Sequence, residues 1–173
     1  MDIKEISLRL LNSSDLSFLL EVRNSCKDAL HDNREFTLKD CINWFTKTKP
    51  EFYVIEHNKQ NIGYVRTSNL SKENRSITIG ADIHPKYRRM GYASAAYMII
   101  INYLFYKMLF NRIDLEVLSN NTPAILLYEK LGFRYEGLKR EAIFRNGKYI
   151  DSILMSILKK EWPSTNYLDI NLI

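Results

Sequence analysis

Apolar and polar residues alternate with a period of two over Ile6–Leu11, the spacing of a strand with one face in a core, and the apolar runs Phe52–Glu56, Ile62–Ser68 and Ser76–Ile83 are strand-like. Arg112–Leu118, Arg134–Phe144 and Lys148–Leu158 are strand-like as well. The turns between these runs are well marked. Asn58-Lys59-Gln60-Asn61 joins the second and third, and Asn146-Gly147 is the strongest hairpin dipeptide in the chain. Gly80 is expected to interrupt the fourth run, as a β-bulge or as a bend that lets a ligand in.

Helical spacing fills the gaps. Asn12 to Asp15 offer N-caps for a first helix carrying Leu16, Phe18, Leu19, Leu20 and Val22. Thr37 followed by Asp40 predicts a capping box for a second helix with Cys41, Trp44 and Phe45, ended by Pro50. A third, almost wholly apolar helix is expected from Ala93 to Leu109. A fourth runs from Pro123 to Leu131 with Gly132 as its stop. The order predicts an α/β (α+β) fold of six to seven mainly antiparallel strands with one central parallel pair, flanked by about four helices. With no repeat or linker, one domain is expected over residues 1–162 and an extension over 163–173.

Composition changes this picture little. The chain has 173 residues, 46% hydrophobic and 26% charged, as expected of a folded globular protein. Its net charge of +5 is spread along the chain, so a nucleic-acid partner is not expected, whereas a phosphate-bearing ligand suits the modest excess. Cys26 and Cys41 read as packed thiols. The isolated histidines His31, His57 and His84 give no metal spacing. No leader is recognisable before Ile6, and the apolar stretch Ala93–Tyr106 is shorter than a membrane span and contains Asn102, so a cytoplasmic protein without a membrane partner is expected.

The chemistry concentrates in the loop Arg88-Arg89-Met90-Gly91-Tyr92-Ala93, between a strand and a helix. First-turn amides lack partners inside a helix and the macrodipole favours negative charge there, so the segment is suited to an anion, expected to be a pyrophosphate. Gly91 lets the backbone approach the ligand, and Ala93 lets the helix pack closely.

These six residues fit the pattern Arg/Gln-x-x-Gly-x-Gly/Ala. With the downstream segment Asn121-Thr122-Pro123-Ala124 through Tyr128-Glu129-Lys130-Leu131-Gly132-Phe133, the chain resembles the GNAT superfamily of acetyl-CoA-dependent N-acetyltransferases, most closely over residues 60 to 160. The resemblance implies acetyl-CoA as cofactor. Backbone amides from Arg88 to Ala93 would hold its pyrophosphate, Ile83 would pair with the pantetheine as an added strand, and Asn121 would touch the cofactor. It also implies strands splaying apart near Ile83 and Leu118 to admit the acyl arm.

An ammonium must lose a proton before attacking a thioester, and the departing thiolate must gain one. Tyr128 occupies the position at which the superfamily usually places its acid. For the base, many relatives have a carboxylate where this chain has Thr78, which cannot serve near neutral pH. Glu116 matches the base of ribosomal-protein alanine acetyltransferases. Asp82 and His84 are further candidates, His84 alternatively shaping the loop. A non-catalytic acyl-CoA-binding module is the other class of function open to this fold.

The amine is expected to meet the first helix, the loop from Asp28 to Phe36, the second helix and the last hairpin, where Arg23, Asn24, Asp32 and Arg34 are the polar residues. This mixed set favours a phosphorylated or nucleotide-linked amino sugar over the C-terminal half's likeness to spermidine acetyltransferases. A protein N-terminus is the alternative. A monomer and a homodimer are both compatible with the sequence.

Overall fold

Strand β1 (Ile6–Leu10) buries Ile6 and Leu8 and turns its alternate residues outward, the half-buried pattern its sequence predicts. The computed structural model describes residues 6–163. The expected C-terminal extension therefore lies outside the described residues apart from Pro163. After β1 come α1 (Leu16–Ser25), α2 (Leu38–Thr48), β2 (Tyr53–His57), β3 (Gln60–Ser71) and β4 (Ser76–Ile83). Then follow α3 (Tyr92–Asn102), β5 (Arg112–Leu118), α4 (Thr122–Lys130), β6 (Arg134–Arg145) and β7 (Lys148–Leu158).

The seven strands form one sheet in the order β1-β2-β3-β4-β5-β7-β6, antiparallel except for β4 beside β5. One face carries Tyr53, Ile55, Val65, Ile77, Ile79, Ile113 and Leu115 against α3 and α4. The other carries Val54 and Tyr64 against Leu16, Leu19, Val22 and Cys26 of the α1 side. Each fully buried isoleucine of α3, such as Ile100 and Ile101, contributes about 1.5–3 kcal/mol.

Local chemistry sets the helix ends. Thr37 accepts from the Asp40 amide and the Asp40 carboxylate accepts from the Thr37 amide, the capping box expected for α2. The third helix is shorter than its apolar run. It starts at Tyr92 and ends at Asn102, and a wider π turn over Tyr103–Lys107 replaces the expected continuation to Leu109. Asn102, the polar residue within that run, is buried: its amide donates to the Met98 carbonyl at 2.7 Å and its oxygen accepts from Trp162 Nε1 at 3.2 Å.

The fold positions a cleft through one irregularity. β4 and β5 pair only at Ser76 with Arg112, Ile77 with Ile113 and Thr78 with Asp114. Beyond Thr78, whose hydroxyl donates to Asp114 at 2.6 Å, the two strands part company. β5 meanwhile stays paired with β7 along its whole length, so the opening falls between β4 and β5 as the sequence led us to expect.

Gly80 does not interrupt β4. The strand runs through it in unbroken register with Arg66, and a Cβ there would lie 2.6 Å from the Arg66 guanidinium. The glycine clears space for an arginine crossing the strand, and no bulge forms at it.

Candidate active site

The cleft between the parted strands has a volume of about 480 Å³. Ala81, Asp82 and Ile83 line one wall, and Glu116, Val117, Asn121, Leu127 and Tyr128 the other. Its far end is closed by the loop ahead of α3. Arg89 at φ +62° and Gly91 at φ +80° are both left-handed there, which turns successive amides of the loop toward one side. Gly91 is the N-cap of α3 and provides no side-chain cap, so the first-turn amides of Tyr92, Ala93 and Ser94 depend on a ligand or water. This concave, glycine-containing cradle at the end of a narrow cleft fits a diphosphate with an extended arm.

The expected cofactor residues divide by role. Gly91, Tyr92, Ala93, Asn121, Arg89 and Ile83 border the cleft. Met90 is absent from that wall and is exposed. Arg88 also borders it but is folded back: its Nε donates to the Ile83 carbonyl at 3.2 Å and its Nη2 lies 3.0 Å from the Cys26 sulfur. It therefore fixes the start of the loop, and the Ile83 carbonyl expected to meet pantetheine carries this contact. Asn121 is the N-cap of α4, yet its side chain makes no cap bond and so is not committed to the helix.

Tyr128 is buried within the cleft, its ring edge-on to Tyr97 at 5.4 Å. The Tyr97 hydroxyl donates to the Tyr128 oxygen at 3.1 Å, leaving the Tyr128 proton free to be donated elsewhere. Burial raises the Tyr128 phenol above its ordinary value of 10.0, partly offset by the Tyr97 hydrogen bond and by Arg66. The group is therefore a neutral proton donor at physiological pH.

Glu116 is not free in the way its sequence position suggested. Lys139 Nζ donates to Oε2 at 2.8 Å and the Ser152 hydroxyl donates to Oε1 at 2.7 Å. Burial pushes this carboxyl up, but the two hydrogen bonds together with the neighbouring positive charge hold it below its usual range. Beside it stands His31, whose Nε2 is 2.7 Å from Ser152 Oγ and 3.4 Å from Glu116 Oε1. Since the single hydroxyl proton of Ser152 goes to Glu116, Nε2 must carry its own proton and donate to Oγ, which leaves Nδ1 with the free lone pair. Burial lowers the His31 pKa below 6.5 against the opposing pull of Glu116, so the ring is neutral at pH 7.

The other candidate bases are placed differently. Asp82 lies in the cleft with its carboxylate 3.6 Å from Arg66 Nε. His84 borders neither cavity: Nε2 is 3.1 Å from Glu21 and Nδ1 accepts from the Lys86 amide, so it shapes the turn before the loop. Thr78 is committed to Asp114 at the base of the fork.

A second cavity of about 390 Å³ lies under α1, α2 and the loop between them. Leu30, His31 and Arg66 border both cavities, so the two meet there. Of the four expected amine-site residues, Arg23 and Asp32 line this cavity, and Asn24 and Arg34 do not. Asn24 is used on the backbone of Phe36, accepting from its amide and donating to its carbonyl. Arg34 forms an exposed fork with Asp32. From β6, Arg145 donates to the carbonyls of Asp28 and Leu30, each at 2.7 Å, and so pins the loop that bears His31.

Sequence reasoning passed over His31, Ser152, Arg66 and Tyr97. Only Arg66 left a trace, as a charge at the period-two position after Tyr64, on the same strand face. Among the described residues no cluster of three or more His, Cys, Asp or Glu could hold a metal, and no helix is long and apolar enough to cross a membrane.

The structure resembles that of the spermidine N-acetyltransferase from Vibrio cholerae in complex with CoA and spermine, with a TM-score of 0.84, 27% identity and coverage of 91% of this chain and 98% of that one. In sequence it is 28% identical over 116 residues to the SPbeta prophage-derived uncharacterized N-acetyltransferase YokL of Bacillus subtilis, covering 67% of this chain and 66% of that protein. It is 29% identical over 110 residues to the spermidine N(1)-acetyltransferase of Escherichia coli, 64% of this chain and 59% of that protein. The matched stretch thus spans less than two thirds of these two relatives' own length. The family model described as Acetyltransferase (GNAT) family matches residues 16–133, and with the forked parallel pair and the loop at Gly91 this establishes that the chain belongs to the GNAT acetyltransferase family.

Proposed function

We propose that this chain transfers an acetyl group from acetyl-CoA to a small primary amine by direct attack. The observation that carries the reading is the meeting of the two cavities at Leu30, His31 and Arg66, with Tyr128 in the wall of the first. A cofactor cleft alone would serve a binding module. A second cavity opening onto its reactive stretch gives an amine a place to approach.

Bound acetyl-CoA supplies the acetyl group as an activated thioester. The chain's own residues then manage two protons. His31 Nδ1 takes the proton that the attacking nitrogen gives up, while Ser152 and Glu116 hold the ring in the Nε2-protonated form and stabilise the imidazolium that results. This moves the base from Glu116, which the sequence favoured, to the histidine it orients. Tyr128 gives its proton to the departing sulfur, and the phenolate left behind keeps the Tyr97 hydrogen bond and lies near the Arg66 charge. Arg66 also disfavours a second positive charge at the junction, which helps the amine reach it uncharged.

A nucleotide-linked amino sugar, expected from the arginines of the amine region, finds less support in this geometry. It would bring two phosphates, and Arg34 is already forked onto Asp32 while Arg66 faces Asp82. The test of the transferase reading is thiol release from acetyl-CoA with a panel of amines, using His31→Gln and Tyr128→Phe as controls. Amine-dependent release that falls steeply in both variants is expected. Cofactor binding without release on any amine would leave a binding module.

A further inference from the structure

The second cavity says more about the amine than its position does. Most of its wall is hydrocarbon or aromatic: Leu19, Leu30, Phe36, Trp44, Phe52 and Tyr64. Three of these rings form a continuous surface, with Trp44 5.0 Å from Phe52 and Phe52 stacked on Tyr64 at 6.0 Å and an interplanar angle of 6°. Ring centroids at such separations make a preferred aromatic packing arrangement, and a further ring can extend it.

The acidic groups on the same wall are spoken for. Asp32 is forked by Arg34 and receives its amide, which holds the carboxyl down at about 2. Asp40 serves the capping box of α2, bonded to both the amide and the hydroxyl of Thr37. On the basic side, Arg23 donates to the Asp32 carbonyl at 2.6 Å and its guanidinium lies 4.4 Å over the Phe36 ring, with Nη1 buried and without a hydrogen-bond partner. A second ammonium on the acceptor would therefore meet no uncommitted carboxylate on this wall. Along the ring-lined part of the wall a sugar's hydroxyls would lie against hydrocarbon, where a polar group without a partner is costly.

We propose that the acceptor is a small primary amine whose body is an aromatic group, of the arylalkylamine class, its ring lying on the Trp44, Phe52 and Tyr64 surface and its nitrogen at the junction by His31 and Arg66. This rests on the transferase reading above and narrows its substrate. In an apolar site of this kind one methylene is worth roughly 10- to 200-fold, so the ring as a whole carries the discrimination.

The experiment compares kcat/KM for 2-phenylethylamine, phenylalanine, spermidine and glucosamine at fixed acetyl-CoA, in the unaltered chain and in Trp44→Ala. 2-Phenylethylamine should exceed spermidine and glucosamine by about tenfold or more. Trp44→Ala should cut that ratio by about tenfold while leaving CoA affinity unchanged, because Trp44 borders the amine cavity and not the cofactor cleft. Equal or better turnover of spermidine or glucosamine, or an unaltered ratio in a folded Trp44→Ala, would overturn the assignment. Should no amine release thiol, the transferase reading fails separately, and the class is decided by tryptophan fluorescence of the CoA-loaded unaltered chain, in which Trp162 is buried at the other face and gives a constant background. A saturable change with 2-phenylethylamine and none with spermidine supports the proposal; the reverse, or no saturable change with 2-phenylethylamine, overturns it.

Discussion

Ser152→Ala removes a side chain that touches neither cavity yet stands between the proposed base and its carboxylate. The serine is fully buried, accepts from His31 Nε2 at 2.7 Å and donates to Glu116 Oε1 at 2.7 Å. The bond to the carboxylate is of the kind worth about 1.5–3 kcal/mol and the bond from a neutral imidazole about 0.5–1.5 kcal/mol. Glu116 is partly exposed and keeps Lys139, so water recovers some of the loss and a stability cost near the bottom of that sum, about 2 kcal/mol, is expected. For a chain of this size that is roughly 4–8 °C in Tm, read by calorimetry. The kinetic effect should be larger in proportion. With Nε2 unanchored, imidazole spends time in the tautomer that protonates Nδ1, and Glu116 comes to act on the ring directly. We expect kcat to fall by about tenfold to a hundredfold, the acid limb of the pH profile to move upward, and KM for acetyl-CoA to stay constant. An unchanged kcat and pH profile in a destabilised but folded Ser152→Ala would refute the role given to His31.

Three further outcomes follow from particular contacts. Tyr128→Phe should lower kcat by about 10²- to 10⁴-fold in a thiol-release assay while CoA affinity holds, since the Tyr97 hydroxyl loses only one acceptor. The rate should fall as pH drops below 6.5 through the lowered His31 pKa. Stability should fall in the same window, because an unfolded chain binds the proton that buried His31 resists; both are read from pH series of rate and of urea midpoint, and a His31→Gln variant should lose the stability slope. Gly63→Ala should destabilise by about 1–3 kcal/mol or more in urea titration, since its Cβ would fall 2.4 Å from the Asp82 backbone carbonyl, which cannot swing aside as a flexible side chain can.

The sheet, the helices and the forked pair were legible because each rests on a local signal: alternation in β1 and β4, the turn residues between β2 and β3, the Thr37 and Asp40 box, Gly132 after α4, and the two family segments around Gly91 and Tyr128. The helix ahead of Leu109 was overextended because an apolar run does not mark where an α turn widens into a π turn. Gly80 was misread because the cause of the glycine is Arg66 on the neighbouring strand, and cross-strand register is not written in either segment alone. The same reason hid the histidine. His31 lies in a polar loop, Ser152 in the last strand and Glu116 in β5, and only the pairing of β5 with β7 and the hold of Arg145 on the loop bring them together. The amine region was read as charged because Arg23, Asn24, Asp32 and Arg34 fall within one polar stretch of sequence; folded, Asn24 serves the backbone and Arg34 is forked onto Asp32, while Trp44, Phe52 and Tyr64 bring rings to the cavity.

The cradle at Gly91 is tested most directly by calorimetric titration of CoA into the unaltered chain and into Gly91→Val. A β-branched residue is ill suited to φ +80°, and a side chain there would narrow the proposed diphosphate cradle. Saturable one-to-one binding in the first and a loss of about tenfold or more in the second, with the fold retained by circular dichroism, is the predicted result. Absence of CoA binding by the folded unaltered chain, or equal affinity in Gly91→Val, would contradict it.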